Sequence, residues 1–222
     1  MVIKIDPEFY SFGLLCASEH GKKHLTAKEW CQANKLVAAV NAGMFQSDGL
    51  TNVGYIKNFG HVNNHKFNDY KTILAFNPLD ASIPQIRMID RQCQDFEELG
   101  KNYNTLIQNP RMINCHQKNT WGQQKKMWSM VGLGIDKTGH VLFLFTRSPF
   151  SVHDFINILL SLPLSISTSM YLEGGPEASL YLSVNGEEIE RFGSYETGFN
   201  EDDNNSHAWP IPNVIGIVKK NK

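Results

Sequence analysis

The fold class is decided most clearly by residues 128–146, WSMVGLGIDKTGHVLFLFT. Two apolar runs, residues 128–135 and residues 140–146, flank a short polar turn that contains Gly139. Apolar runs of this length joined through a glycine turn are typical of a β-hairpin. The stretch therefore predicts a pair of neighbouring strands, the second of which ends near Thr146 at the edge of the core.

Similar patterns predict a chain made mostly of strands. Further strands are predicted at residues 1–6, 10–16, 36–40, 72–76, 85–89, 170–172, 180–184, 188–192 and 213–218. Helices are predicted at residues 26–34, 93–99 and 151–162. The first begins with the capping-box residues Thr26 and Glu29, and Pro163 ends the third. We therefore expect an α/β fold in the broad sense that includes α+β, with a mixed β-sheet core and a few flanking helices.

Length and composition indicate one globular unit. The chain has 222 residues and a mass of 25.1 kDa, and 41% of its residues are hydrophobic, which suits a single domain over residues 1–222. Its 21 Lys and Arg against 22 Asp and Glu give a formal net charge of −1, so no overall basic field favours nucleic acid as a partner. No apolar run approaches the roughly 18 residues of a spanning helix, so no membrane span is expected.

Cysteine usage and the start of the chain leave the cellular compartment open. The cysteines Cys16, Cys31, Cys93 and Cys115 form no C-x-x-C motif, which gives no support for a zinc knuckle or a thioredoxin-like site. They are interpreted as buried free thiols or, in an exported chain, as up to two disulfides. The first residues do not have the layout of a signal peptide. A periplasmic or secreted location is favoured if a leader has been trimmed.

Three predicted strands run into short polar segments that are candidate ligand sites. They are Asn41-Ala42-Gly43, Thr146-Arg147-Ser148 and Glu173-Gly174-Gly175-Pro176-Glu177. Glycines at strand ends allow a ligand to approach the backbone closely, and the strands hold the neighbouring side chains in place. The alternative for each segment, taken alone, is a simple turn after a strand.

The charged side chains near strand ends are the candidate catalytic groups. Glu173 and Glu177 flank a Gly-Gly-Pro turn that can direct both carboxylates into one pocket, as an acid with a nucleophile or base. Arg147 follows a buried run and Arg111 follows a proline, positions at which a guanidinium suits a phosphate or a carboxylate. The alternatives are a structural ion pair for each arginine and a capping or solvated side chain for Glu177.

The predicted helix at residues 151–162 adds two candidates in its first turn. His153 and Asp154 lie at a helix N-terminus, where free amides and the helix dipole favour anions. Asp154 is also the third residue after Ser151 and so fits a capping box, the favoured interpretation. His153 is a candidate catalytic residue, with a structural role as the alternative.

Residues 46–70 form a long polar segment, interpreted as a functional or mobile loop. Asn52 and further asparagines alternate there with Tyr and Phe, a combination of amides and flat apolar faces that suits a sugar, although asparagines also simply form turns. His61 and His65 lack the helix and the glutamate of a zinc protease, so no metal is expected. No nucleotide-binding glycine motif or nucleophile elbow occurs, and no cofactor is expected.

Four segments, taken together, resemble the phosphodiester glycosidase family. They are residues 40–45 (VNAGMF), 108–113 (QNPRMI), 131–136 (VGLGID) and 171–175 (YLEGG). The resemblance extends over about residues 36–218. The family signature at the last segment is similar to LDGGGSS, whereas residues 172–178 of this chain read LEGGPEA.

The resemblance implies a hydrolase of a sugar-1-phosphodiester or related glycosidic linkage, with a carbohydrate or sugar phosphate as its small-molecule partner. It implies that Glu173 is the carboxylate at the anomeric carbon, as nucleophile or as base for water, and that Glu177 or His153 manages the proton. An exchange of the acid and base roles is the alternative. Arg147 and Arg111, with the helix N-terminus, would stabilise the departing phosphate. The remaining substrate-binding candidates are Asn41, Gly43, Asn52, Asp154, Gly174 and Gly175.

Two further function classes remain as alternatives. One is a noncatalytic carbohydrate-binding or cell-envelope-binding module that keeps the crevice without the chemistry. The other is a hydrolase that acts at phosphorus, for which a metal ion is the usual requirement.

Overall fold

The computed structural model describes residues 1–220. Its strands are β1 (Val2–Ile5), β2 (Tyr10–Cys16), β3 (Ala38–Asn41), β4 (Ile56–Asn58), β5 (His61–Asn64), β6 (Thr72–Pro78), β7 (Ile86–Asp90), β8 (Tyr103–Asn109), β9 (Arg111–Ile113), β10 (Trp128–Asp136), β11 (Val141–Phe150), β12 (Ile166–Gly174), β13 (Ser179–Val184), β14 (Glu187–Phe192) and β15 (Asn213–Lys219). Its α-helices are α1 (Ala27–Asn34), α2 (Phe96–Leu99) and α3 (Val152–Ser161). Short 3₁₀ turns occur at Gly100–Asn102 and Gly175–Glu177.

The strands of the described chain form three five-stranded sheets. Their strand orders are β1-β11-β10-β12-β9 in sheet 1, β14-β13-β3-β15-β2 in sheet 2 and β5-β4-β8-β6-β7 in sheet 3. Every pairing between these strands is antiparallel. The expected α/β class therefore holds only loosely, because the fold consists mainly of antiparallel sheets with few helices. Antiparallel neighbours need no helical crossover, which explains the small number of helices.

The hairpin predicted at residues 128–146 is confirmed as β10 and β11 at the centre of sheet 1. Successive residues of a strand point to opposite faces of the sheet. In β11, Val141, Phe143 and Phe145 belong to a core cluster that receives side chains from all three sheets. Leu142 and Leu144 face the other way, toward α3. Because both faces of the strand are buried, its sequence is an uninterrupted apolar run.

A helix covers the outer face of each sheet. Phe155 of α3 packs on sheet 1, Trp30 of α1 packs on sheet 2, and Phe96 of α2 packs on sheet 3. The predicted capping box of α1 is confirmed, since Glu29 N–H donates to the Thr26 hydroxyl and the Glu29 carboxylate accepts the Thr26 N–H. Within residues 1–220, no helix has the length and apolar character required to cross a lipid bilayer.

The interpretation of residues 46–70 as one irregular loop is wrong in part, because the segment contains β4 and β5. Side-chain amides organise the remainder: Asn52 N–H donates to Asn63 Oδ1 at 2.7 Å, and Asn64 Nδ2 donates to the Asn52 carbonyl at 2.8 Å. Strands this short and polar carry no apolar alternation, which is the signal on which strand prediction depends.

The cysteines divide into two kinds. Cys93 and Cys115 form a disulfide, and Cys16 and Cys31 are buried free thiols, so both interpretations of the cysteines hold for different pairs. Burial raises the pKa of each free thiol to about 12, which keeps them protonated and unreactive at neutral pH. The disulfide joins the loop after β7 to the segment after β9 and so ties sheet 3 to sheet 1.

We predict that removal of this disulfide destabilises the fold. The two cysteines are 22 positions apart, and closing a loop of that size contributes about 3 kcal/mol to the free energy of unfolding by restricting the unfolded chain. Urea unfolding of the Cys93→Ser/Cys115→Ser variant is therefore expected at a lower midpoint than that of the parent. Dithiothreitol should lower the parent's midpoint to that of the variant and leave the variant unchanged; an unresponsive parent would contradict the prediction.

Candidate active site

A cavity of about 590 Å³ opens where strands from the three sheets end. Its walls are lined by Met44, Phe45, Val53, Tyr70, Pro110, Trp121, Trp128, Tyr171, Glu173, Gly174, Glu177 and Glu196. The first two residues follow β3 of sheet 2, Tyr70 precedes β6 of sheet 3, and Tyr171 and Glu173 lie at the end of β12 in sheet 1. A volume of this size suits a small-molecule ligand.

The segment from Glu173 to Glu177 brings three predicted residues, Glu173, Gly174 and Glu177, into the cavity. Gly174 N–H donates to Glu173 Oε1 at 3.0 Å, and Gly175 has a φ of +64°, a conformation that glycine adopts without strain. Asn41, at the end of β3, holds the far side of the turn: its Nδ2 donates to the Glu177 carbonyl at 3.0 Å. Its Oδ1 accepts the Ser179 N–H at 2.7 Å. Asn41 therefore orients the backbone that carries Glu177.

Glu196 is a third carboxylate of the cavity, which the sequence analysis missed. It lies after β14, where Ser129 Oγ accepts the N–H groups of Ser194 and Tyr195 at 3.0 and 3.2 Å. A Cβ placed on Gly175 would stand 2.5 Å from Glu196 Oε2 and 3.4 Å from Glu177 Oε2, so both carboxylates border this turn. The signal available in the sequence was a fourth strand, β14, that runs into Gly193 and, three residues later, the acid Glu196.

Burial raises the pKa of all three carboxyl groups. Desolvation is the largest cause for Glu173, and the charges of Glu177 and Glu196 add to it, so that its pKa is about 8. Desolvation also raises the pKa of Glu177, with a further contribution from Glu196. The pKa of Glu196 is raised by desolvation and partly restored by the charge of Lys126. The cavity thus holds a protonated carboxyl beside groups that ionise more readily.

Aromatic rings form the rest of the wall. Trp128 meets Tyr171 edge to face, with ring centroids 6.5 Å apart, and Trp121 lies 6.0 Å from the same tyrosine ring. The buried Tyr171 hydroxyl has a pKa well above its ordinary value, chiefly because of desolvation, so it stays a neutral hydrogen-bonding group. The cavity therefore combines apolar aromatic faces with hydrogen-bonding carboxyl groups.

Arg147 lies outside this cavity and holds the loop that carries Glu196. Its guanidinium donates to the Phe192 carbonyl at 3.2 Å and to the Asn205 carbonyl at 2.9 Å. It also pairs with Asp203 at 3.0 Å and lines a different depression, beside the N-terminus and α3. The structure therefore does not bring Arg147 together with Glu173 and Glu177.

Arg111 and His153 lie behind the cavity wall and support Trp121. Arg111 Nη1 pairs with both Asp90 oxygens, at 2.7 and 2.9 Å, which is the structural ion pair given as its alternative. Its carbonyl accepts the Trp121 indole N–H at 2.6 Å. His153 Nδ1 donates to the Trp121 carbonyl at 2.6 Å. Neither the Arg111 guanidinium nor the His153 imidazole lines the cavity.

The other predicted residues have backbone or packing roles. Asp154 N–H donates to Ser151 Oγ at 3.0 Å, which is the favoured capping interaction. Gly43 passes so close to Asn52 that a Cβ there would stand 2.8 Å from the Asn52 Oδ1 atom. Asn52 is fully buried and does not line the cavity, whereas Gly174 does.

Metal-ligand geometry among residues 1–220 is confined to one group. Cys93, Cys115 and His116 bring three ligand atoms within 4.8 Å of one another, and both sulfurs belong to the disulfide.

Comparison with known proteins identifies a family and a fold. The family model for phosphodiester glycosidases matches residues 34–218, in agreement with the resemblance of the sequence motifs. A search of curated proteins finds no match. The catalytic domain of zebrafish N-acetylglucosamine-1-phosphodiester alpha-N-acetylglucosaminidase, auto-inhibited by its pro-peptide, has a similar structure with a TM-score of 0.70 and 13% identity, over 99% of this chain and 76% of that one.

A hypothetical protein from Synechocystis is also similar, with a TM-score of 0.62 and 13% identity. The alignment covers 99% of this chain and 59% of that chain, so this chain spans less than two thirds of its length. At such low identity, both similarities establish the fold alone.

We predict that Glu173 makes stability depend on pH. Its pKa is about 8 in the folded protein and near 4.5 in the unfolded chain, so the unfolded state loses this proton first as the pH rises. The contribution of Glu173 to stability is thus complete below pH 4.5 and is lost as the pH rises through about 8. Relative to the parent, Glu173→Gln should therefore gain free energy of unfolding between these pH values in urea titrations.

The matched control is Glu187→Gln, which removes a carboxylate from an exposed position on β14. If the difference in stability between Glu173→Gln and the parent were as flat with pH as that of the control, Glu173 would not be desolvated as described.

Proposed function

The chain belongs to the phosphodiester glycosidase family, and we propose that it hydrolyses the bond between the anomeric carbon of a sugar and an oxygen leaving group, as in a sugar-1-phosphodiester or a related glycosidic linkage. The observation that carries this proposal is one cavity that combines carboxyl groups of different acidity with aromatic walls. Glycoside hydrolysis commonly uses two carboxyl groups, one protonated and one ionised.

In this mechanism Glu173 is the general acid. Because its pKa is about 8, it keeps its proton near neutral pH and can transfer it to the glycosidic oxygen as the C1–O bond breaks. This exchanges the roles implied by the family resemblance, in which Glu173 acts at the anomeric carbon as nucleophile or as base for water. The reversal follows from Glu173 being the carboxyl group that burial keeps protonated near neutral pH.

The second carboxyl role falls to Glu177 or Glu196. Both line the cavity, and both border the Gly175 turn within 3.4 Å of one point. An ionised carboxylate there acts either as the base that activates water or as the nucleophile that attacks the anomeric carbon. The nearby charge of Lys126 favours ionisation of Glu196.

Trp121 and Trp128 supply the surfaces against which a sugar ring packs. Each lines the cavity, and the apolar face of a pyranose is covered when it lies on an indole. Polar and apolar surfaces in one cleft would also serve a noncatalytic carbohydrate-binding module, so turnover is what separates the two functions.

We predict that Glu173→Gln strongly lowers turnover and keeps binding. Loss of the proton donor should lower kcat by roughly 10²-fold to 10⁴-fold, while the neutral amide preserves the shape of the cavity. Sugar release from a panel of α- and β-linked methyl glycosides and sugar-1-(methyl phosphate) diesters measures kcat. Titration calorimetry with the same compounds measures affinity, which should stay within a few-fold of the parent's.

Glu187→Gln is again the matched control and should retain parental kcat. A parent protein that binds members of the panel and cleaves none would identify the noncatalytic module instead. Parental turnover by Glu173→Gln would remove Glu173 from the mechanism.

A further inference from the structure

The cavity has an unusual balance of charge for a site that would hold a phosphate. Of its described lining residues, the ones that ionise are Tyr70, Tyr171 and the glutamates Glu173, Glu177 and Glu196. Neither lysine, arginine nor histidine is among the described residues that line it. Every charge that these side chains can acquire is therefore negative.

The cationic groups that the sequence suggested as phosphate ligands have other partners in the structure. Arg147 is held by two carbonyls and by Asp203, and Arg111 is held by the Asp90 carboxylate. The N-terminus of α3 carries its own acid, since Ser151 Oγ also donates to Asp154 at 2.7 Å. None of these groups faces the cavity.

Lys126 is a cation that acts on one of the cavity carboxylates, that of Glu196. Its charge partly offsets the desolvation of Glu196, yet its side chain is exposed and does not line the cavity. A single exposed ammonium in high dielectric contributes little against ionised carboxylates inside the cavity.

The chemistry of the leaving group determines whether hydrolysis requires a cationic group or a proton donor. A departing phosphate carries its charge without a proton and is stabilised by cationic donors. A departing alcohol is a poor leaving group unless it receives a proton during C1–O cleavage. The cavity supplies a proton donor and no lining cation, which matches the second requirement.

We propose that the preferred substrates of this site are neutral glycosides with an alcohol leaving group, and that phosphodiesters are disfavoured; the proposal rests on the glycosidase function above. The Glu173 carboxyl gives its proton to the glycosidic oxygen as the C1–O bond breaks. Water adds its hydroxyl group to C1 and passes its other proton to Glu177 or Glu196. One glycoside and one water yield one free sugar and one alcohol, with no change of oxidation state.

Paired substrates that differ only in the phosphate test this proposal. The probes are the methyl glycosides of N-acetylglucosamine, glucose, mannose and galactose, in both anomers, and the corresponding sugar-1-(methyl phosphate) diesters. Release of free sugar gives kcat/KM for each pair near neutral pH, with and without added Mg²⁺ or Ca²⁺. For at least one sugar we expect kcat/KM to be at least tenfold higher for the methyl glycoside.

Two variants examine the electrostatic cause. Glu196→Gln removes one negative charge from the cavity and should shift the ratio of kcat/KM toward the phosphodiester. Lys126→Gln should lower turnover of the phosphodiester by no larger a factor than turnover of the methyl glycoside. A selective loss of phosphodiester turnover in Lys126→Gln from a parent that prefers phosphodiesters would show that this lysine binds phosphate and would overturn the proposal.

The outcomes distinguish a failure of the proposed substrate preference from a failure of the proposed glycosidase function. Preferred turnover of phosphodiesters, with or without a divalent cation, would overturn the preference for neutral substrates and leave the glycosidase function intact. Absence of turnover for every probe would overturn the glycosidase function and this proposal with it. Preferred turnover of a methyl glycoside supports both.

Discussion

Three antiparallel sheets each turn one face toward the same apolar core, and this shared burial determines where their strands end. The core cluster draws Phe143 from sheet 1, Val40 from sheet 2 and Leu74 from sheet 3. Once these faces are packed, the ends of β3 and β12 and the segment before β6 meet at one rim. The cavity at this rim is a consequence of packing, and the strands hold those parts of its wall that lie at their ends.

The same burial controls the chemistry of the rim. Removing a carboxyl group from water disfavours its charged form, and a neighbouring carboxylate adds to the effect. Glu173 experiences both influences and keeps its proton to about pH 8. Glu196 is partly relieved by Lys126. One apolar environment thus produces groups of different acidity from three chemically identical side chains.

Arg147 and His153 have side chains that are common in catalytic sites, but here they hold the backbone of neighbouring segments. Arg147 holds the Phe192 and Asn205 carbonyls on either side of the Glu196 loop, and His153 holds the Trp121 carbonyl. Their donor groups are the features that made them candidates in the sequence. A guanidinium or imidazole binds a backbone carbonyl as readily as a ligand, and sequence does not distinguish the two partners.

Local patterns in the sequence determined the β10–β11 hairpin, the capped starts of α1 and α3 and the position of Glu173 at the end of β12, because each depends on residues close together in the chain. Four short segments in their order along the chain indicated the family. Tertiary structure alone decided that the sheets are antiparallel, that Cys93 pairs with Cys115, and that Glu196 joins Glu173 in the cavity while Arg147 does not. Those outcomes depend on contacts between distant segments and on which groups packing removes from water, and neither is encoded in a local pattern.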